Sequence, residues 1–461
     1  MKVHFFTLGC KTNTYESSAM GQSFTQKGYE ITKDKEEKAD IYIINTCSVT
    51  NIAERKSRQM MRQAKELNPE AIIVACGCYA QVAKDQIAQI DEVDLIIGSK
   101  EKNQIVDIIE EYLKSQNKEI LISDIMNESE YQDFGSTTMT ELNRAVVKIQ
   151  DGCDRFCSYC IIPYARGHIR SRNPEKIIEE IQNIAKQGIK EVVLTGIHLA
   201  SYGKDFTDET AREYRKQYNY NEEYKKYTPN DDLASGGFRL IEILEQINKV
   251  KGIERIRLGS IEPKLITEEF VTRLSKLEKI CHHFHLSLQS GCDETLKRMN
   301  RRYTTEDFRT ICKILRAAYK DVIFTTDIIV GFPGETEEEF NQTYEFLKEI
   351  KMYKMHIFKY SPKRGTAATK FKNQIDSKIK DERSKILLEL SDKNEIEYNE
   401  TYINKTVTVL FEEAEEGYFK GHTGNYLAVK VKTDQDLTDK ILKVKIDKLE
   451  KLELVGTLVE E

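Results

Sequence analysis

Three cysteines, Cys153, Cys157 and Cys160, stand in Asp-Gly-Cys-Asp-Arg-Phe-Cys-Ser-Tyr-Cys, with three and then two residues between them. A loop this short can turn three thiolates toward one point. A structural zinc site wants four ligands, and no His or Cys nearby in sequence completes the set. Three thiolates on a cuboidal 4Fe-4S cluster instead leave one iron open. Such an iron chelates the amino and carboxylate groups of S-adenosylmethionine, and an electron passed through it splits the sulfonium to a 5′-deoxyadenosyl radical. A second set is scattered along the chain: Cys10 in Thr-Leu-Gly-Cys-Lys-Thr-Asn, Cys47 in Ile-Asn-Thr-Cys-Ser-Val-Thr and Cys78 in Cys-Gly-Cys-Tyr-Ala-Gln. Each follows a strand-like apolar run, and loops at the carboxyl ends of strands in an open parallel sheet line one crevice. Three thiolates there again imply a cluster. Cys76 rivals Cys78, but it should still lie inside the sheet, whereas Cys78 stands one residue beyond the strand. Cys281, Cys292 and Cys312 have no partner at ligand spacing and are assigned to core or surface.

These triads need elements to hold them. From residue 1 to 114, strands over Val3–Gly9, Ile41–Cys47, Ala71–Gly77 and Leu95–Gly98 alternate with amphipathic stretches, which predicts a doubly wound parallel sheet. Residues 115–143 are polar and read as a linker. A second β/α series, with strands near 144–150, 191–196, 254–260, 282–288, 322–330 and 353–360, predicts a partial (β/α)6 barrel over 144–375. Residues 203–237, rich in Tyr, Glu, Lys and Asp, read as an insertion on a loop. Over 376–400, Ile379, Ile386 and Leu390 recur at helical spacing, which predicts a connecting helix. Short strands over Thr406–Phe411, Tyr418–Lys420, Tyr426–Lys432 and Ile441–Ile446 predict a small β-barrel over 401–461. The fold class is α/β with an all-β carboxy-terminal domain.

The 461 residues suffice for about three domains, and a 39% apolar share suffices for a core. With 70 basic and 76 acidic side chains the net charge is −6, so no global positive field attracts nucleic acid and any such contact is local. Arg144–Arg172 holds six basic and two acidic residues, and Lys359–Lys372 five basic and no acidic ones. Lys297, Arg298, Arg301 and Arg302 form another basic group. Phosphates would meet these faces. No apolar run approaches the roughly 18 residues of a membrane span, and Met-Lys-Val-His-Phe-Phe runs straight into a strand pattern without a signal peptide. A cytoplasmic protein with reduced cysteines is expected.

The spacing of Cys153, Cys157 and Cys160, with Tyr159 just before the last, resembles the radical S-adenosylmethionine superfamily. The resemblance implies S-adenosylmethionine contacts from Tyr159 and from the strand-end residues Thr195, Gly196, Ser287, Gln289, Asp327 and Gly331. An amino-terminal cluster domain, a radical core and a small barrel of the kind called TRAM together resemble the methylthiotransferases, over essentially the whole chain apart from 203–237. Ile161–Gly167, Leu194–His198 and Gly421–Tyr426 look most like the branch that modifies threonylcarbamoyladenosine in tRNA. The isopentenyladenosine branch usually has Gln-Asn-Val-Asn where this chain has Ile197, His198, Leu199 and Ala200.

The implied reaction replaces the hydrogen on carbon 2 of adenine by a methylthio group, next to the anticodon. Cys153, Cys157 and Cys160 would hold the radical-generating 4Fe-4S cluster, and Cys10, Cys47 and Cys78 a second one that presents sulfur. Beyond these ligands no catalytic side chain is assigned. A low-potential electron donor is implied, with no membrane or DNA partner. Arg166 and Arg170, just past Cys160, are the candidates to recognise the carboxylate of the tRNA substrate. The barrel from Thr401 has a net charge of −3, so its RNA role rests on resemblance, with Tyr418, Phe419 and Tyr426 as stacking surfaces. The alternatives are methylthiolation of isopentenyladenosine, methylthiolation of a ribosomal-protein aspartate, and a non-enzymatic RNA-binding protein stabilised by a metal.

Overall fold

The computed structural model describes residues 1–34, 37–135, 144–207, 209, 210, 213 and 238–459; the insertion expected at 203–237 lies almost wholly outside them. The first sheet contains β1 (Lys2–Thr7), β2 (Glu30–Thr32), β3 (Ile41–Thr46), β4 (Ile72–Gly77), β5 (Leu95–Ile97) and β6 (Glu119–Leu121). All are parallel, in the order β2-β1-β3-β4-β5-β6. Both β3 and β4 are buried along their whole length, as β-branched runs covered by helices on two faces must be. The expected strands are present, and β2 and β6 add to them. The sixth strand lies in the stretch read as a linker. Its three residues are too few to show a period, and Tyr131 and Asp133 beyond it bond to the carbonyl of Lys148 and to Arg172.

The second unit contains β7 (Arg144–Asp151), β8 (Arg170–Ser171), β9 (Glu191–Gly196), β10 (Arg255–Leu258), β11 (His283–His285), β12 (Ile323–Val330) and β13 (Lys354–Lys359). Strands β7, β9 and β10 are parallel, as are β11, β12 and β13. Parallel bridges Ile256↔Ile280 and Ile261↔Leu286 join the two groups into an open arc of six, with β8 antiparallel beside β7. Alternate residues such as Val147, Leu194, Ile256, Leu286 and Ile328 enter the core beneath the helices. The other set, including Arg144, Glu191, Arg257, His283, His285 and Asp327, therefore lines the inner face.

The connecting helix runs Ser377–Glu400, but Ile379 and Ile386 are exposed. Its buried stripe is largely polar. Arg383 bonds Glu335 at 2.8 Å, Ser391 accepts from the Met355 amide, and Asn399 accepts from Tyr353. Of the three residues whose spacing predicted the helix, only Leu390 is buried, so apolar spacing located the helix but not its buried face. After it, β14 (Thr406–Glu415), β15 (Tyr418–Thr423), β16 (Ala428–Lys432), β17 (Ile441–Glu450) and β18 (Glu453–Leu458) close a barrel in the order β14-β15-β16-β18-β17. The fifth strand, broken by Gly456, had no sequence signal of its own. Arg255 and Arg257 dock this barrel by donating to the carbonyls of His422, Thr408, Gly424 and Thr423. No helix among the described residues is long and apolar enough to cross a membrane.

A buried charge cluster joins the first sheet's domain to the arc. Glu16, on the helix Lys11–Gln26, pairs with Lys102 of its own domain, with Lys148 of β7 at 2.6 Å and with Arg166. Lys148 also reaches Asp151 at 2.5 Å. Burial pulls the Glu16 carboxyl upward, yet Arg166, Lys102 and Lys148 outweigh it and hold it well below the usual carboxylate range. Burial likewise opposes Lys148, Arg166 and Arg170 at Asp151, which they bring down to about 2. Both folded values lie below the unfolded ones of about 4, so the stabilisation is fully present above about pH 4 and is lost as pH falls toward 2. Glu16→Ala, which leaves buried cations uncompensated, should lower stability at pH 7 by about 3–5 kcal/mol and shrink the acid-induced loss. Urea denaturation of both proteins from pH 7 to pH 2 measures both effects.

Candidate functional site

Cys153 follows β7 directly, and the loop that carries it is clamped from several sides. The Cys153 amide donates to the Gly167 carbonyl, the Ser158 amide to that of Met299 and the Ala368 amide to that of Ser158. Asn300 Nδ2 donates to the Phe156 carbonyl. Burial first, and then Cys157 and Cys153 within electrostatic reach, raise the Cys160 thiol to about 12. Arg301 donates from Nη1 to Cys157 Sγ at 3.3 Å while pairing with Glu262 at 2.6 Å. Three thiols on one loop, within electrostatic reach of one another and with a guanidinium on one sulfur, suit an anionic, thiolate-bound cluster with an open position.

The residues expected to contact S-adenosylmethionine divide. Thr195, Ser287, Gln289 and Asp327 alternate with core residues and stand toward the carboxyl ends of the arc, on its inner face. Gln289 adopts φ +71°, a strained value for a residue with a side chain, held by bonds to the Asp327 carbonyl and the Ile329 amide. Gly196 lies against the Gln150 side chain. Tyr159 packs edge-on to Phe332. Gly331 departs from the expectation: its amide bonds Glu335, and a Cβ there would strike the Lys380 side chain of the connecting helix. It serves the turn between β12 and the helix Glu337–Ile350.

The second triad gathers where the first sheet reverses its strand order, between β1 and β3. Gly9 has φ +101°, and a Cβ there would lie 2.8 Å from Cys47 Sγ, so only glycine lets the Cys10 loop pass so close. Cys10 precedes the helix Lys11–Gln26 and Cys78 opens the helix Cys78–Val82. Burial, and after it Cys78 and Cys10 within electrostatic reach, raise the Cys47 thiol to about 12. Cys76 instead is fully buried in the core with Val3, Met20 and Phe24. Arg166 donates from Nε to Cys78 Sγ at 3.2 Å. Around it Lys102, Lys148, Arg166 and Arg170 are buried with Glu16 and Asp151 as their ion-pair partners, so the Cys78 sulfur lies in a predominantly positive surrounding that suits an anionic, thiolate-bound group.

The arginines expected to read the substrate are therefore placed elsewhere. Arg166 is fully buried, with its guanidinium also on Asn13 and Glu16. Arg170 is 2% exposed and donates to the carbonyls of Arg166 and His168. Most of the basic run Arg144–Arg172 is likewise internal, its cations being counter-ions of buried acids. Cations at the surface include Lys297, Arg302, Arg364, Lys370 and Lys372. Tyr426 is also committed: its ring stacks on His283 and His422 at 4.7 and 4.8 Å, with the Arg257 guanidinium at 4.8 Å. Phe419 lies in the barrel core. Arg301 and Arg298, expected in a phosphate-facing basic group, instead pair with Glu262 and Glu339, and nothing in the sequence assigned a site role to Glu16, Lys102 and Lys148. The strict alternation His-Phe-His-Leu-Ser-Leu-Gln over 283–289 marked a polar inner face and was the available signal.

Residues 147–347 match the Radical SAM superfamily, and residues 2–98 match the uncharacterized protein family UPF0004. The threonylcarbamoyladenosine tRNA methylthiotransferase MtaB of Bacillus subtilis (strain 168) is 40% identical, covering 96% of this chain and 93% of its own length. A tRNA-2-methylthio-N(6)-dimethylallyladenosine synthase of Caldicellulosiruptor saccharolyticus is 34% identical, covering 99% and 92%. The radical S-adenosylmethionine methyltransferase TsrM of Kitasatospora setae, solved with tryptophan and a cofactor analogue, shares the fold at TM-score 0.51 and 12% identity, over 77% of this chain and 72% of that one. With a thiol triad at the carboxyl ends of each parallel sheet and relatives aligned along nearly its whole length, this chain belongs to the radical S-adenosylmethionine methylthiotransferase family.

Proposed function

We propose that this protein adds a methylthio group to carbon 2 of N6-threonylcarbamoyladenosine in tRNA. As a family member it uses a 4Fe-4S cluster and S-adenosylmethionine; we assign that cluster to Cys153, Cys157 and Cys160. A second cluster on Cys10, Cys47 and Cys78 belongs to the same proposal. The observation that carries it is Arg166, which leaves the radical core and donates to Cys78 of the other domain, so that both triads serve one space. The greater identity to the threonylcarbamoyladenosine enzyme favours that substrate over the dimethylallyl one.

When bound, the two clusters supply radical generation and sulfur donation, with electrons from a low-potential donor. The chain's own residues bind, orient and enclose. Arg301 and Arg166 each set a positive charge on a ligand sulfur. Thr195, Ser287, Gln289 and Asp327 offer polar groups along the inner face to S-adenosylmethionine. Tyr426, stacked between His283 and His422, closes the amino-terminal end of the arc against water. Exposed Lys297, Arg302, Arg364, Lys370 and Lys372 suit tRNA phosphates.

Anaerobically reconstituted protein should hold about eight irons, and Cys78→Ala about four while still cleaving S-adenosylmethionine. Cys76→Ala should keep about eight; iron and sulfide analysis with product chromatography decides between the two cysteines. For the substrate, mass spectrometry of tRNA nucleosides from a deletion strain should show threonylcarbamoyladenosine without its 2-methylthio form. Loss of the 2-methylthio isopentenyl nucleoside instead would overturn the proposal.

A further inference from the structure

A polar, largely cationic group gathers where the three domains meet. Lys11, next to Cys10, contributes from the amino-terminal domain, Arg144 and His283 from the first positions of their strands and Arg257 from the third of its own, and Tyr426 from the small barrel. Lys11 is reached by solvent yet stands within electrostatic reach of Arg144, Arg257 and Glu191. Its two cationic neighbours are committed. Arg257 pairs with Glu191 at 2.7 Å and caps the Thr423 and Gly424 carbonyls. Arg144 pairs with Glu412 at 3.1 Å. Among the described residues the Lys11 side chain has neither a hydrogen bond nor an ion pair, and His283 Nδ1, buried beside it, also lacks a partner. Arg255 and Arg257 share Glu191, so cations outnumber carboxylates in this group, and Lys11 is the member without an ion pair among the described residues.

The proposed substrate carries one fixed negative charge close to its reacting carbon. Carbon 2 and the amino group at carbon 6 of adenine both flank N1, so a substituent on N6 leaves the ring beside the atom that receives sulfur. A threonylcarbamoyl substituent ends in a carboxylate, whereas an isopentenyl substituent is uncharged. Cys10 caps the helix that Lys11 opens, so both side chains leave the same helix end, the end to which an adenine presented to a group on Cys10 would come. We propose that Lys11 reads the threonylcarbamoyl carboxylate and is the specificity-determining residue of this enzyme, the role that buried Arg166 and Arg170 cannot fill. The inference rests on the substrate reading above. An uncharged N6 substituent would leave the ammonium without a partner, so the same residue rejects it.

The test is a binding cycle with the reconstituted enzyme and three anticodon stem–loop RNAs carrying adenosine, threonylcarbamoyladenosine or its methyl ester. Wild type should bind the carboxylate RNA about 10- to 150-fold more tightly than the ester. Lys11→Gln should abolish that gap, and Lys11→Arg should keep most of it, with iron content and visible absorbance matching wild type in both. A full gap retained in Lys11→Gln overturns the role of Lys11 while the substrate reading stands. Wild type that binds adenosine and threonylcarbamoyladenosine RNAs equally overturns the substrate reading. The ester comparison needs only wild-type protein, so a missing ester effect counts against Lys11 even where Lys11→Gln fails to fold.

Discussion

The Arg166 guanidinium holds this molecule to one arrangement. It reaches from the radical core into the amino-terminal domain, where it meets Glu16, Asn13 and the sulfur of Cys78. Charges buried this deeply are tolerable only when compensated, and these cations find their carboxylates only with the two domains docked in this register. Alignment of the two triads is thus an electrostatic condition of the fold. Replacement by apolar residues of equal volume would not reproduce it, because apolar contacts do not distinguish one sliding register from the next.

The same logic recurs at each functional junction. Arg301 joins Cys157 to Glu262 and the Ser287 carbonyl. Arg257 joins Glu191 to the small barrel. In each case a planar donor fork satisfies several acceptors at once, which a lysine could not do. These buried guanidinium groups are structural, whereas most of the chain's cations stay at the surface.

The open arc departs from the usual parallel sheet, whose strands are apolar on both faces. Here helices cover one face and the other is polar from Arg144 and Glu191 at one end to Ser287 and Gln289 at the other. His285 Nε2 meets Asp327 Oδ2 at 3.2 Å, with His356 beside them on the next strand. An inner face of this character is built to be wetted or to hold a polar ligand. The small barrel docks at its far end and leaves the carboxyl ends, with their cysteines, uncovered by it.

Local order was legible in the sequence because strands and helices have periods of their own. The doubly wound sheet, the six-stranded arc, the carboxy-terminal barrel and both cysteine triads follow from runs, spacings and strand ends, and the resemblance named the family. Strands β2, β6 and β18 were not legible, being short or interrupted. The roles of charged residues were decided by the tertiary structure alone. A basic run from Arg144 to Arg172 reads as a surface, yet its members meet Glu16, Asp151, Glu180 and Glu412, and Glu16 lies more than a hundred residues away. The helix after 376 buries Arg383, Ser391 and Asn399 for the same reason. Charge carries no period, and a chain records how many cations it has but not which acids will face them.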